Sequence, residues 1–283
     1  MRRALVLSGG GARGSYHVGA LLTLIGMQRR RYEVISGTSV GALIGAYIAQ
    51  WQPGDPESSM ELARLWRTVR RRDLYRRRFP WPWNDALYDT APLRRFIKEH
   101  IGFSRIGASG VDLRVQATDL HRGRSMSFGG RHLNTDVLMA SAAVPVAFPP
   151  VYLDGRMVVD GSVLADTPLG AAIRAGATDI DVIALGPADP EPEETPARML
   201  PIAARTIEVA MHALFESDLR SAKRINEMVR AGYEGQGREV SIRVLRPSRR
   251  LEGSLLAFDP QVGEEMRVLG CSDAARPEMW TEL

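Results

Sequence analysis

Short apolar runs of strand length alternate along this chain with longer stretches whose apolar residues recur at helical spacing. Leu5-Val6-Leu7 predicts a buried first strand, and Val18, Leu21, Leu22 and Ile25 mark a helix over about 16–27. A second strand is expected at 32–35, followed by a helix rich in small residues over 41–49. Residues 56–78 read as a helix with a basic end, and 79–90, with Pro80-Trp81-Pro82-Trp83, as irregular and exposed. A helix at 92–101 precedes alternating strands at 111–117 and 124–128. A short helix at 134–143 leads to a hairpin turning on Leu153-Asp154-Gly155-Arg156 and into the strand Met157-Val158-Val159. Beyond it the pattern predicts a helix at 168–175, a strand at 180–185 and an acidic, proline-rich surface loop at 187–196. A long amphipathic helix at 199–231, a strand at 240–245 and a last helix near 260–271 complete the series.

Strands that alternate with helices in this way predict an α/β fold: a mostly parallel sheet covered by helices on both faces. No repeat and no linker interrupts the pattern, so residues 1–283 are expected to form a single domain. The first residues, Met1-Arg2-Arg3-Ala4-Leu5-Val6-Leu7, are too short an apolar run for a signal peptide, and glycines follow at once. No stretch reaches the roughly 18 apolar residues of a spanning helix; the longest apolar region, 40–49, suits a core helix. At 45% hydrophobic and 25% charged residues the composition is that of an ordinary globular protein. Cys271 is the single cysteine, which excludes an internal disulfide and fits a reducing compartment. A soluble, cytoplasmic protein able to touch membranes at their periphery is the expectation.

Candidate chemistry sits on two glycine-rich turns. Gly37-Thr38-Ser39-Val40-Gly41 lies between a predicted strand and a predicted helix. Gly-x-Ser-x-Gly in that context is the sequence form of a nucleophile elbow, in which a serine on a strained turn is presented to a carbonyl. Gly37 and Gly41 allow the close backbone approach, and the Val40 N–H would face the oxyanion. The second turn, Ser8-Gly9-Gly10-Gly11-Ala12-Arg13-Gly14, follows the first strand and opens a helix, an arrangement that suits an anion or an oxyanion. The same turn satisfies Gly-x-Gly-x-x-Gly, with Glu33 about 20 residues on. Glu33 precedes its strand, however, whereas a dinucleotide fold places the acid at the strand's end.

A serine nucleophile needs a base. His212 lies within the predicted long helix and His17 in the helix after the glycine turn, so both read as packing residues. Asp160 closes the apolar strand Val158-Val159-Asp160, and Gly161 permits a sharp turn after it. A carboxylate there could take the Ser39 proton and return it to the leaving group, although a bare Asp-Gly pair also makes a simple turn. At its ordinary pKa of about 3.9 such a carboxylate is a weak base for a serine.

Together these residues resemble the patatin-like phospholipase family. The resemblance rests on Gly9-Gly10-Gly11-Ala12-Arg13-Gly14, Gly37-Thr38-Ser39-Val40-Gly41 and Asp160-Gly161 in that order. Ala117-Thr118-Asp119-Leu120, Ala140-Ser141-Ala142-Ala143-Val144-Pro145 and Phe148-Pro149-Pro150 add to it, with the core motifs inside 5–185. It implies a three-layer α/β/α patatin-like fold and a Ser39–Asp160 dyad without histidine. It also implies an oxyanion hole from the Gly9-to-Gly14 turn with Val40, and hydrolysis of phospholipid, lysophospholipid or other fatty-acyl esters without metal or cofactor. Two positions depart from the family pattern. Ser162 stands where glycine or alanine is preferred, and Asp166 where asparagine is common, so a second carboxylate could alter the titration of the dyad.

Net charge is +4, and all the basic residues except Lys98 and Lys223 are arginines. Seven arginines fall in 67–78, bracketed by Trp66, Trp81 and Trp83. Arginine with tryptophan suits an anionic lipid interface, so 66–85 reads either as a peripheral membrane contact or as a solvated basic helix followed by a proline-rich loop. No motif points to nucleic acid. Two other functions compete with a serine-dependent lipid acyl hydrolase: a regulatory protein that keeps the fold but turns over poorly, and a dinucleotide-binding protein.

Overall fold

The computed structural model describes residues 2–79, 84–186, 199–233 and 238–283. Its strands are β1 (Arg3–Leu7), β2 (Val34–Thr38), β3 (Arg76–Arg77), β4 (Tyr88–Asp89), β5 (Asp112–Asp119), β6 (Arg124–Gly129), β7 (Val151–Leu153), β8 (Arg156–Asp160), β9 (Asp179–Ile183), β10 (Ser241–Leu245) and β11 (Trp280–Glu282). The helices are α1 (Gly14–Leu21), α2 (Val40–Ile48), α3 (Pro56–Thr68), α4 (Arg71–Leu74), α5 (Ala91–His100), α6 (Phe103–Ser109), α7 (Thr135–Ser141), α8 (Ser162–Ala165), α9 (Leu169–Arg174), α10 (Met199–Arg230) and α11 (Pro260–Ala275).

One sheet is ordered β11-β10-β9-β1-β2-β5-β8-β7, with β6 also paired to β5. Its middle, β10-β9-β1-β2-β5, is parallel, and β11, β6, β8 and β7 join antiparallel. Ala4-Leu5-Val6-Leu7, Val34-Ile35 and Val182-Ile183 are buried on both faces, as a helix-covered parallel sheet requires. The apolar core divides accordingly. Leu5, Leu7, Tyr16, Ile35 and Ile44 cluster on one face, and Ala4, Val6, Phe215, Leu219 and Val244 on the other.

Register positions the site. β2 pairs with β5 as Thr38↔Gln116, and β8 pairs with the next residue of β5 as Ala117↔Asp160. The ends of β2 and β8, about 120 residues apart in sequence, therefore meet at one point on β5. The hairpin that delivers β8 turns on Asp154 (φ 49) and Gly155 (φ 73), the Asp-Gly pairing such tight turns favour.

Some expectations change. The helix read over 56–78 stops at Thr68, because Val69 adopts an extended conformation and turns inward to be buried. The chain then restarts as α4, with the Asp73 carboxylate accepting the Arg70 N–H at 2.8 Å. The arginines carry no apolar stripe that could hold a continuous helix on the core. The helix read over 16–27 begins at Gly14 and ends in a π-helical turn, Leu22–Met27. β11 and α6 carried no periodic signal. The loop expected at 187–196 and the residues Trp81 and Trp83 lie outside the described residues.

Candidate active site

β1 and β2 are parallel neighbours, so their carboxyl ends open side by side. This is where parallel α/β sheets place their ligands. β1 leads into the glycine turn and β2 into Ser39. The Ser39 backbone sits at φ 54, ψ −125, a region that a serine occupies only when its surroundings force it. Two of those surroundings are Gly37 and Gly41. A Cβ on Gly37 would lie 2.5 Å from the Gly41 carbonyl oxygen, and one on Gly41 2.6 Å from that of Ser8. Ser141, at the end of α7, completes the turn by accepting the Ser39 N–H through Oγ at 3.0 Å. The Ala-Ser-Ala-Ala motif contained this residue without disclosing its role.

The glycine turn divides into occupied and open amides. Gly9 N–H donates to the Asp166 carbonyl at 3.0 Å, Ala12 N–H to that of Leu255 at 2.8 Å, and Arg13 N–H to that of Gly10 at 3.1 Å. The N–H groups of Gly10, Gly11 and Val40 have no partner among the described residues, and Gly10 (φ 146) and Gly11 (φ 55) hold conformations open to glycine. Of the amides from Gly9 to Gly14 and Val40, these three are the ones left open among the described residues. Gly14 begins α1 against Val40, and the Arg13 guanidinium pairs with Glu208 of α10 at 3.3 Å.

Asp160 is buried, with one oxygen engaged and one open. Oδ1 accepts the Ser162 N–H at 2.8 Å, while Oδ2 is buried without a partner. Burial lifts the Asp160 carboxyl to about 6; the Ser162 N–H and the Ser39 and Ser162 hydroxyls pull in the opposite direction. Ser39 is thus close enough to act on Asp160, yet no hydrogen bond of acceptable geometry joins them. The pair is apposed rather than closed, and Oδ2 stays open. A carboxyl raised to about 6 is a stronger base than the ordinary aspartate assumed from sequence. Gly161 passes against β5, where a Cβ would meet the Gln116 carbonyl oxygen at 2.6 Å.

The second carboxylate is also here. Asp166 follows α8 and leaves Oδ1 buried without a partner; burial, with the Asp160 charge adding to it, lifts this carboxyl to about 7. Its segment is fixed to β2 by two hydroxyls: Ser36 Oγ donates to the Pro168 carbonyl at 3.1 Å and Thr38 Oγ1 to that of Ala165 at 2.7 Å. Buried carboxylates are normally satisfied. Asp181 illustrates the rule, accepting from Tyr32 at 2.7 Å, Arg30 at 2.9 Å and Arg243 at 2.5 Å.

Neither histidine considered as a base serves as one. His17 is fully buried with Nε2 3.2 Å from the Ile183 carbonyl oxygen, and His212 stays within α10. The Glu33 carboxylate accepts the Arg3 N–H at 2.8 Å, and β2 ends at Thr38, directly before Ser39. Among the described residues no cluster of metal-ligating side chains occurs, and no helix is long and apolar enough to cross a membrane.

Comparison with known proteins shows what the chain is similar to. The family model for patatin-like phospholipase matches residues 5–173. An uncharacterised NTE family protein of Mycobacterium tuberculosis is 29% identical over 202 residues, covering 69% of this chain and 53% of its own. A cGAMP-activated phospholipase of Pseudomonas aeruginosa is 29% identical over 178 residues, covering 58% of this chain and 53% of its own. A lysophospholipase NTE1 of Scheffersomyces stipitis is 27% identical, covering 65% of this chain and 12% of its own. This chain therefore spans about half the length of the mycobacterial relative. The crystal structure of VipD from Legionella pneumophila aligns over 100% of this chain and 68% of its own, at 12% identity and a TM-score of 0.46.

Proposed function

The chain belongs to the patatin-like phospholipase family, and from that membership we propose that it is a serine-dependent lipid acyl hydrolase of the phospholipase A, lysophospholipase or esterase type. One observation carries the reading: Ser39, on its strained turn, is close enough to act on a buried Asp160 whose Oδ2 is open. Ser39 Oγ attacks the ester carbonyl as Asp160 Oδ2 accepts its proton. The carbonyl electron pair moves to oxygen, where the N–H groups of Gly10, Gly11 and Val40 hold it. Collapse of this intermediate expels the alcohol, which takes the proton from Asp160, and leaves the acyl group on Ser39. Water, giving its proton to Asp160, then attacks the acyl carbon; the second collapse releases the fatty acid and returns the proton to Ser39. Ser141 occupies the Ser39 amide and so fixes the turn that aims the hydroxyl. The cycle uses no metal and no cofactor.

We read residues 1–283 as one such unit, because its sheet draws strands from Arg3 to Glu282. The lipid interface is assigned to the basic segment 66–85. Trp66 contributes less than its residue type suggested: it is half-buried and donates from its indole to Ser15 Oγ at 3.0 Å. The support lies further along, where Arg71, Arg72, Arg76 and Arg77 are exposed, as is Phe79. Leu87 N–H donates to the Val146 carbonyl at 3.0 Å, which sets two more exposed apolar side chains beside them. Apolar side chains ringed by arginine fit an anionic bilayer surface.

Ser39→Ala tests the cycle against p-nitrophenyl esters and lysophosphatidylcholine. Turnover should fall to background with the fold intact, and a fluorophosphonate should add to Ser39 of the native protein only. Turnover that survives the substitution would refute the assignment. A native protein that never labels would leave the family's fold without its chemistry.

A further inference from the structure

Asp166 is the feature that the cycle above leaves unused. Its Oδ1 and the Ser162 Oγ both crowd the face of Gly9, at whose Cβ position Ser39 Cβ stands 3.5 Å away. The Ser162 hydroxyl acts on both carboxyls, Asp160 and Asp166, and so lies between them. Each carboxyl keeps one buried oxygen without a partner. Two like-charged groups this close in a dry pocket do not both ionise readily; they share a proton.

We propose that Asp166 is a positioning residue for the hydrolysis assigned above, on which this inference rests: its carboxyl keeps a proton beside Gly9 and Ser162, leaves Asp160 as the ionised partner of Ser39, and disables the site when that proton is lost. With the proton in place the pocket carries one negative charge, and that charge is on the base. Without it a second charge stands against the glycine turn whose amides must receive an oxyanion. In a site shielded from water that repulsion falls on the transition state. Burial and the Asp160 charge both favour the protonated form of Asp166, which is held to about 7.

The neighbours do not supply a counter-charge. α8 packs on α10, β5 and β6, elements that carry Arg205, Glu208, His212, Asp119 and Arg124 among their charged and titratable residues. Glu208 is paired with Arg13 and with Arg205, and Asp119 lies 3.9 Å from Arg156. Among the described residues, Asp160 is the charged group whose field reaches Asp166.

The test is the pH dependence of Ser39 capture by a fluorophosphonate, read by intact mass. In that reaction Ser39 Oγ bonds to phosphorus, fluoride leaves and Asp160 takes the proton. The wild-type rate should be bell-shaped, falling about tenfold per pH unit on its alkaline side. Asp166→Asn preserves the shape of the side chain; it should abolish the alkaline limb and leave the acid limb, set by Asp160, where it is, because Asp166 is already neutral in that range. Superimposable profiles for the two proteins would overturn the role of Asp166 and leave the hydrolase reading standing. A wild-type profile with no alkaline limb would overturn it even if the variant failed to fold. Absence of Ser39 capture at every pH would end both.

Discussion

Replacing Asp160 should strengthen the fold. Asp160 is buried, and its carboxyl is raised from 3.8 to about 6. A carboxyl whose pKa rises on folding binds its proton more tightly in the native state, so the native state is favoured where that proton is present. As pH climbs from about 4 to about 6 the unfolded chain releases the proton while the native chain retains it, and stability declines through that interval. Above it the native protein bears the full cost, roughly 1.4 kcal/mol per pH unit of displacement, or about 3 kcal/mol. Asp160→Asn removes the charge and keeps an oxygen for the Ser162 N–H. At pH 8 the variant should exceed the wild type by up to about 3 kcal/mol, and at pH 4 the two should converge. His17, whose pKa is lowered to about 3 by burial, pushes in the other direction, destabilising the fold as pH falls below its ordinary 6.5. It is common to both proteins and cancels in the difference. Urea unfolding at pH 4, 6 and 8, with equal m values, measures the gap as a shift in midpoint. A gap that stays constant with pH, or that favours the wild type at pH 8, would refute the assignment of a buried charge to Asp160.

Two further outcomes follow from the geometry. Gly37→Ala forces a Cβ onto the Gly41 backbone at the elbow, so it should cost about 1–3 kcal/mol in thermal or urea unfolding and remove hydrolytic activity together with Ser39 labelling. Replacing Arg76, Arg77 and Phe79 with Ser should abolish co-sedimentation with phosphatidylglycerol vesicles without altering turnover of a soluble p-nitrophenyl ester; equal binding by the two proteins would dismiss the interface.

The order of most strands and helices was legible because the buried central strands are short apolar runs and the longer helices carry apolar residues at helical spacing; α4, α6 and β11 lack such a signal. The elbow and the glycine turn were legible because close backbone approach demands glycine there. What the sequence concealed is relational. Nothing in Val158-Val159-Asp160 says that its strand runs antiparallel to β5, yet only that register brings Asp160 beside Ser39. Nothing in Ser8-Gly9-Gly10-Gly11-Ala12-Arg13-Gly14 says which amides stay free, because the competing acceptors are carbonyls of Asp166 and Leu255 far along the chain. Ser141 was visible as part of a motif, and its bond to the Ser39 amide was not. Asp166 was visible as a departure, and its significance depends on a burial that no local pattern encodes.

The bond from Ala12 to Leu255 carries one more implication. The residues that match the family model end at 173, but the glycine turn is braced by a carbonyl at 255, and Tyr75 reaches over to hold the next residue, Leu256. α11 lies along α1 immediately behind the turn. Leu255, Leu256 and α11 are therefore a buttress of the half that carries Ser39 and Asp160 rather than an appendage to it. A fragment trimmed to the matching region would keep Ser39, Asp160 and the glycine turn and lose the wall that keeps them still.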